Sequence, residues 1–286
     1  LLYLGGMDLF DSLCHTFGTM ATGGFSTRNA SVAAYDSAYI DGVITVFMLI
    51  AGINFTLHYQ ALKGRPGGFL KDPECRFFLG LFALATAVIT GVTLWANYDG
   101  HFWESFRFAS FQSASIMTTT GYATFDYEIW PAICPALLLF LMFIGGSAGS
   151  TGGGMKCMRI QLLLKHAYQE LFRLIHPRAV QRVKWSGKAV PQDVLTGVWG
   201  FFVLWLGLFT LCGFVVAATG VDVTTSFASS LACIGNIGPG IGGVGPTDNY
   251  AWLPEVAKWA LFFFNDTAPT EIYTVIVLFV PEFWRR

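Results

Sequence analysis

Charge is what this sequence has least of. Only 12% of its 286 residues are Asp, Glu, Lys or Arg, where soluble domains carry about a quarter. With 54% hydrophobic residues and a mean hydropathy of +0.55, that scarcity excludes an ordinary soluble domain and marks an integral membrane protein. A net charge of −1 therefore says little about partners; where the charges fall says more. No C-x-x-C pair occurs. Cys14, Cys75, Cys134, Cys157, Cys212 and Cys233 are scattered, which argues against a disulfide or zinc framework and for free thiols. The five histidines, His15, His58, His101, His166 and His176, show no metal-ligand spacing. Ser110, Ser113 and Ser115 have no His–Asp partner arrangement, so nucleophilic catalysis is not expected and the chain does not read as an enzyme. Leu1 to Gly6 has neither an initiator Met nor a basic stretch of the signal-peptide kind, so the chain reads as a piece that starts within a longer protein.

What the chain has instead is a recurring loop. Thr118-Thr119-Thr120-Gly121-Tyr122 follows a short amphipathic run and precedes a long apolar one that opens at Trp130-Pro131. Threonine supplies a hydroxyl and a carbonyl, and glycine permits torsions that other residues avoid. Successive main-chain oxygens can then turn toward one axis and replace the water shell of a cation. Phe17 to Ser26 (FGTMATGGFS) and Leu231 to Gly240 (LACIGNIGPG) stand in the same setting. Aligning Gly23, Gly121 and Gly238 gives spacings of 98 and 117 residues by subtraction. A span, a re-entrant loop and a second span form the repeat. Non-helical backbone at membrane depth survives only where it lines a cavity or is buried in protein, so three such loops imply a shared pore.

The predicted organisation is all-α, with repeated span–pore loop–span units around a pseudo-fourfold pore and three of four filters present. Residues 1–62 hold a pore helix over Met7 to Met20, a filter and an inner span from Asp36 to about Tyr59. Residues 63–76 are a polar cytoplasmic loop. Residues 77–165 hold a span from Phe77 to about Asn97, a pore helix from His101 to Met117, the filter and an apolar helix from Pro131 to Ile144. Residues 166–190 are basic, and residues 191–286 make the last repeat: a span over Val194 to Thr219, a pore helix over Thr224 to Cys233, a filter and a closing span from Trp252. Glycine dominates 145–154 (GGSAGSTGGG). Each glycine costs a helix about 1 kcal/mol relative to Ala, so the helix should open there, near mid-membrane. Gly149-x-x-x-x-Gly154 continues as Met155-Lys156-Cys157 and no strand precedes it, which argues against a phosphate-binding loop. Lys63, Arg65, Lys71, Arg76, then eight basic residues from Lys156 to Lys188, and finally Arg285 and Arg286 lie on one side, making it cytoplasmic by the positive-inside rule. Asp8, Asp11, Asp36, Asp99, Glu104, Asp126, Glu128, Asp222, Asp248 and Glu255 lie on the filter side, where an acidic mouth would concentrate cations. The basic run just after a span reads as a lipid or protein contact, with no nucleic acid implied.

On these residues the chain resembles the membrane subunit, TrkH type, of the bacterial Trk/Ktr potassium uptake systems. ATGGFST (21–27) is similar to that family's second filter, TTTGYAT (118–124) to the third and GNIGPGIG (235–242) to the fourth, and the likeness covers nearly the whole chain. The resemblance implies four repeats around one pore in the bacterial inner membrane, potassium conduction, a homodimer, and a cytosolic TrkA-like nucleotide-binding ring subunit as gate controller. K⁺ would be held by main-chain oxygens at Ala21, Thr22 and Gly23; Thr119, Thr120 and Gly121; Asn236, Ile237 and Gly238. No bound cofactor is implied. GGSAGSTGGGMK (145–156) matches the family's gating loop, which assigns that role to Gly145, Gly146, Ser147, Gly149, Ser150, Thr151, Gly152, Gly153, Gly154 and Lys156. The first repeat and the first span of the second are missing from the chain. Asn236 and Pro239 make the last filter less regular, which predicts some leak of Na⁺ or Rb⁺. A sodium-coupled or sodium-permeable KtrB- or HKT-like transporter is the nearest alternative. A membrane enzyme acting on a lipid-linked substrate would need a catalytic group facing the cavity, whereas the acidic residues gather at one membrane face. Phe262 to Thr274 (FFFNDTAPTEIYT) interrupts the closing span with Asn265, Asp266 and Pro269, where charge is expensive and proline removes a helix bond. Pro269 stands where the family's pore-facing arginine is expected. The segment reads as an artefact of sequence assembly, and finding its codons in the native locus would overturn that reading.

Overall fold

The computed structural model describes residues 1–96, 101–177 and 182–265. Eleven α-helices lie among them: α1 (Leu9–Met20), α2 (Ala38–Gly52), α3 (Phe55–Leu62), α4 (Gly68–Lys71), α5 (Pro73–Trp95), α6 (Phe102–Met117), α7 (Ile133–Ile144), α8 (Cys157–Ile175), α9 (Gln192–Ala218), α10 (Val223–Ile234) and α11 (Glu255–Phe264). Short polar side chains start several of them. Asp8 accepts from the Asp11 amide at 2.7 Å, Asp72 from Cys75 at 2.7 Å with Pro73 in the first turn, and Asp222 from Thr225 at 2.9 Å. Each oxygen satisfies an amide that the helix itself leaves without a partner.

Length sorts the helices. α5 and α9 have 23 and 27 residues; at 1.5 Å per residue both exceed the ~30 Å hydrocarbon layer. The pore helices α1, α6 and α10 have 12, 16 and 12 residues, too few at that rise to cross such a layer. The single span predicted from Asp36 to Tyr59 is broken instead: α2 and α3 meet at a bend of 100°. Gly52 ends α2 where a Cβ would press to 2.8 Å on both Phe78 and Thr118, and the Asn54 side chain caps α3 by accepting from Thr56 at 2.8 Å. The predicted opening after Ile144 is present. α7 stops there, Gly145 adopts φ +75°, and helical structure resumes only at Cys157.

Buried side chains fall into three groups. Phe78, Ile89, Ile116, Leu138, Trp205 and Leu231 lie among α5, α6, α7, α9 and α10. Ile40, Ile44, Met48, Phe111 and Tyr122 join α2 to α6, and Leu162, Leu163, Leu195 and Val198 join α8 to α9. Leu84, Val88, Val203, Leu211 and Phe214 point outward, as suits a surface solvated by acyl chains. Helix association there relies on close packing, since lipid is as apolar as leucine. On the basic side, Lys184–Trp185 and Lys188–Ala189 pair as a hairpin, β1 and β2, around Ser186 and Gly187, both at positive φ. The predicted closing span is described only as α11, which ends at Phe264; Asp266, Pro269 and the rest of the interrupted segment lie outside the described residues.

Candidate functional site

All three pore helices end in the same way. The cap amides of Ala21, Thr118 and Gly235 donate four residues back, to Phe17, Ala114 and Leu231. Those of Thr22, Thr119 and Asn236 donate three back, to Thr19, Ile116 and Cys233, at 3.2, 3.1 and 3.0 Å. Those of Gly23, Thr120 and Ile237 donate five back, to Gly18, Ser115 and Ala232, at 2.8, 2.9 and 2.8 Å. Torsions repeat as well. Thr22, Thr119 and Asn236 have φ of 52°, 58° and 55°; Gly24, Gly121 and Gly238 have φ of 66°, 81° and 104°. A left-handed residue, an ordinary one and a second left-handed one form each strand. For threonine that first torsion is a real strain, whereas asparagine tolerates it well.

These torsions move one alignment by a residue. Gly24, not Gly23, is the equivalent of Gly121 and Gly238, and the spacings become 97 and 117 by subtraction. Thr22-Gly23-Gly24 matches Thr119-Thr120-Gly121, while Ala21 falls back to the helix cap beside Thr118 and Gly235. Two adjacent glycines in ATGG look alike as letters; only the backbone selects the second.

The strands converge main chain on main chain. A Cβ at Gly24 would strike the Thr120 carbonyl oxygen, and one at Gly121 would strike the Ile237 carbonyl oxygen. The contact passes in chain order from each strand to the next. At Gly238 a Cβ would meet nothing within 4 Å. Thr22, Thr119 and Thr120 are buried, and the strands are braced by hydroxyls. Ser115 donates to the Tyr122 carbonyl at 2.6 Å, and Thr118 and Thr120 share a bond at 2.7 Å.

Sequence reading missed the struts that brace the strands, between repeats and within the last one. Tyr122 donates to the Phe25 carbonyl at 3.1 Å and stacks on His15, with ring centroids 5.6 Å apart. Tyr127 donates to Gly240 and Tyr250 to Gly238, each at 2.6 Å. Glu128 accepts from the Gly242 amide at 2.5 Å, and burial pushes its carboxyl up. Aromatic residues just past each filter were the available signal. Asp11 is not free to draw cations to the mouth. It is buried and accepts from Thr27, Tyr35 and Arg28 at 2.6, 2.5 and 2.9 Å. The Thr27 hydroxyl first, then Tyr35, then Arg28 hold its carboxyl down to about 2. Arg107 likewise pairs with buried Asp41 at 2.7 Å and reaches exposed Asp36 at 3.4 Å.

Beneath the strands lies the glycine-rich loop. Gly153 donates its amide to the Thr119 hydroxyl at 2.5 Å. Thr151 donates to the carbonyls of Met20 and Ala51, at 3.2 and 3.3 Å. A Cβ at Gly152 would sit 2.9 Å from the Thr118 carbonyl, and one at Gly153 would sit 2.6 Å from the Gly235 carbonyl. The loop thus touches the end of α1, α6 and α10 alike. Gly145 and Gly154 lie against each other where it begins and ends, and the Lys156 ammonium donates back to the Gly152 carbonyl. Ser147 and Gly149 face α2 and α3, bonded to Gly52 and Phe55 at 2.9 and 3.0 Å. Ser150 bonds within the loop, to Ser147 at 2.6 Å. Among the described residues no cluster of His, Cys, Asp or Glu could hold a metal ion, and all six cysteines are free thiols.

Helices too short to cross a membrane that hand over to strands packed on a common centre define a pore-loop membrane protein. The family model of a cation transport protein, TrkH, matches residues 3–286, and the chain belongs to that family, one of transport proteins and not of enzymes. It is 44% identical over 288 residues to the Trk system potassium uptake protein TrkH of Salmonella typhimurium, covering 100% of this chain and 59% of the relative. It is 38% identical over 286 residues to the Trk system potassium uptake protein TrkG of Escherichia coli, covering 99% and 58%. The crystal structure of the potassium transporter TrkH from Vibrio parahaemolyticus superposes with a TM-score of 0.93 at 41% identity, over 99% of this chain and 61% of that one. The chain spans about three-fifths of the length of these relatives.

Proposed function

We propose that this chain forms most of the pore of a potassium uptake protein in the bacterial inner membrane, crossing it several times with its basic loops in the cytoplasm. One observation carries the reading: three strands share a left-handed, ordinary, left-handed backbone, and Gly24 and Gly121 seat the first two on a carbonyl oxygen of the strand that follows. Backbone held that way offers fixed oxygens to a dehydrated cation, at Thr22, Gly23 and Gly24, Thr119, Thr120 and Gly121, Asn236, Ile237 and Gly238. K⁺ is the transported ion, as it is by name for the potassium uptake protein and potassium transporter relatives. The fourth strand comes from the part of the full-length protein outside this chain, docking on the open side of Gly238. Gly145 to Lys156 acts as the gate below. A homodimer and a cytosolic nucleotide-binding ring subunit complete the assembly, the latter docking on the basic side near α8 and the hairpin.

The test is ion flux in liposomes carrying the full-length parent. K⁺ and Rb⁺ enter, with a smaller passage of Na⁺ through a filter in which the strand from Asn236 to Gly238 lacks a threonine hydroxyl. Passage of Na⁺ with K⁺ excluded would overturn the assignment.

A further inference from the structure

Four charged side chains among the described residues are buried: Asp11, Asp41, Glu74 and Lys156. The first two have guanidinium partners. Glu74 and Lys156 make no ion pair within 4 Å among the described residues, yet a charge taken out of water must be compensated somewhere. Both are compensated by the main chain of one loop. Glu74, in the first turn of α5, accepts on a single oxygen, Oε1, from the Ala148 amide at 2.7 Å and the Met158 amide at 2.9 Å. Ala148 lies on the limb that descends from α7, and Met158 in the first turn of α8. Lys156 crosses the loop to the Gly152 carbonyl, beside the Thr118 carbonyl and the filters. Gln161 adds a bond from α8 to the Pro73 carbonyl at 3.1 Å.

We infer that Glu74 is a positioning residue that latches the glycine loop beneath the filters. The loop cannot swing from the pore while one carboxylate oxygen stitches its two limbs together, because Ala148 and Met158 would have to part. Glycines give the loop alternative backbones close in energy; the carboxylate selects the one in which Gly153 and Thr151 lean on the pore-helix ends. The charge matters less than the acceptor: a neutral amide oxygen at the same place can receive both N–H groups.

The inference rests on the pore reading above, and its test uses the full-length parent in planar bilayers. Glu74→Ala raises open probability by roughly tenfold, the effect of losing bonds to a charged acceptor. Unit conductance and the reversal potential stay as in the wild type, since the filters are untouched. Glu74→Gln stays near the wild-type open probability, and Glu74→Asp, one methylene shorter, falls between. Unchanged open probability in Glu74→Ala, or a change in unit conductance or reversal potential instead, would overturn the latch. Should Glu74→Ala fail to accumulate, the Glu74→Asp and Glu74→Gln pair decides on the same readings: equal open probability in the two overturns it. Deuterium uptake across 146–156 gives an ion-independent reading, faster in Glu74→Asp than in Glu74→Gln if the latch holds and equal in the two if it does not. A wild-type parent that passes no K⁺ at all would defeat the pore reading and leave that exchange comparison to judge the latch.

Discussion

A single methyl group is the sharpest probe of the filter. Gly121 has φ +81°, and a Cβ there would run into the Ile237 carbonyl. The left-handed torsion costs an L-residue ~1–2 kcal/mol, and overpacking against backbone about 1–3 kcal/mol more. No rotamer can relieve a clash between main chains. Gly121→Ala in the full-length parent is therefore expected to lower K⁺ flux by ~10-fold or more while the protein still reaches the membrane; flux within twofold of wild type would contradict the contact. Asp11 makes a prediction about acid. Its folded carboxyl lies at about 2 against an ordinary 3.8, so its contribution to stability is complete above pH 4 and is lost as the pH falls toward 2. Purified protein should lose thermal stability across that window, and Asp11→Asn, less stable at neutral pH, should lose less of it on acidification. Parallel acid profiles for the two would remove Asp11 as the cause. Thr22, Thr119 and Asn236 mark the limit of reading by letters. A threonine at φ near 55° carries no sign of it in its name, which is why Gly23 stood in for Gly24 in the sequence alignment.

Helices are mostly legible in the sequence. Run lengths separate spans from pore helices, and the glycines at 145–154 end α7 where expected, but Asp72 starts α5 at Pro73, inside the predicted loop over 63–76 and ahead of the predicted Phe77. The α2–α3 break was not legible. Ile50 to Phe55 lies in a long apolar run broken only by the polar Asn54, and nothing local says that Gly52 must fit between Phe78 and Thr118 from other elements. Tertiary contact overrides propensity there. The aromatic struts escaped for the same reason: Tyr127 and Gly240 are 113 residues apart. At this scale Asn54 is informative. It caps α3 and packs at 3.2 Å where a side chain on Gly149 would begin. Asn54→Ala should cost about 1 kcal/mol of stability and raise proteolytic nicking near 145–156. A variant that melts at the wild-type temperature would show that the bend is held by packing alone.

At the scale of the whole molecule the ring is directional: each strand offers a glycine to the next strand's carbonyl oxygen, and Gly238 is the glycine whose side is open among the described residues. If the full-length protein closes the ring, Gly238→Ala there should impair flux as severely as Gly121→Ala. A mild effect, left with only the ~1–2 kcal/mol of torsional strain, would deny a strand at that side. Thr119 gives a second consequence. In the proposed pore, one residue belongs to the strand that would face the ion and also receives the Gly153 amide from below. On that proposal cargo and gate share a part, and linkage makes their influence mutual: whatever loosens the lower bond would alter how firmly K⁺ is held above it. Conversely, a resident ion that stiffens Thr119 delays opening, so the pore would respond to its own load, releasing more readily when empty than when full.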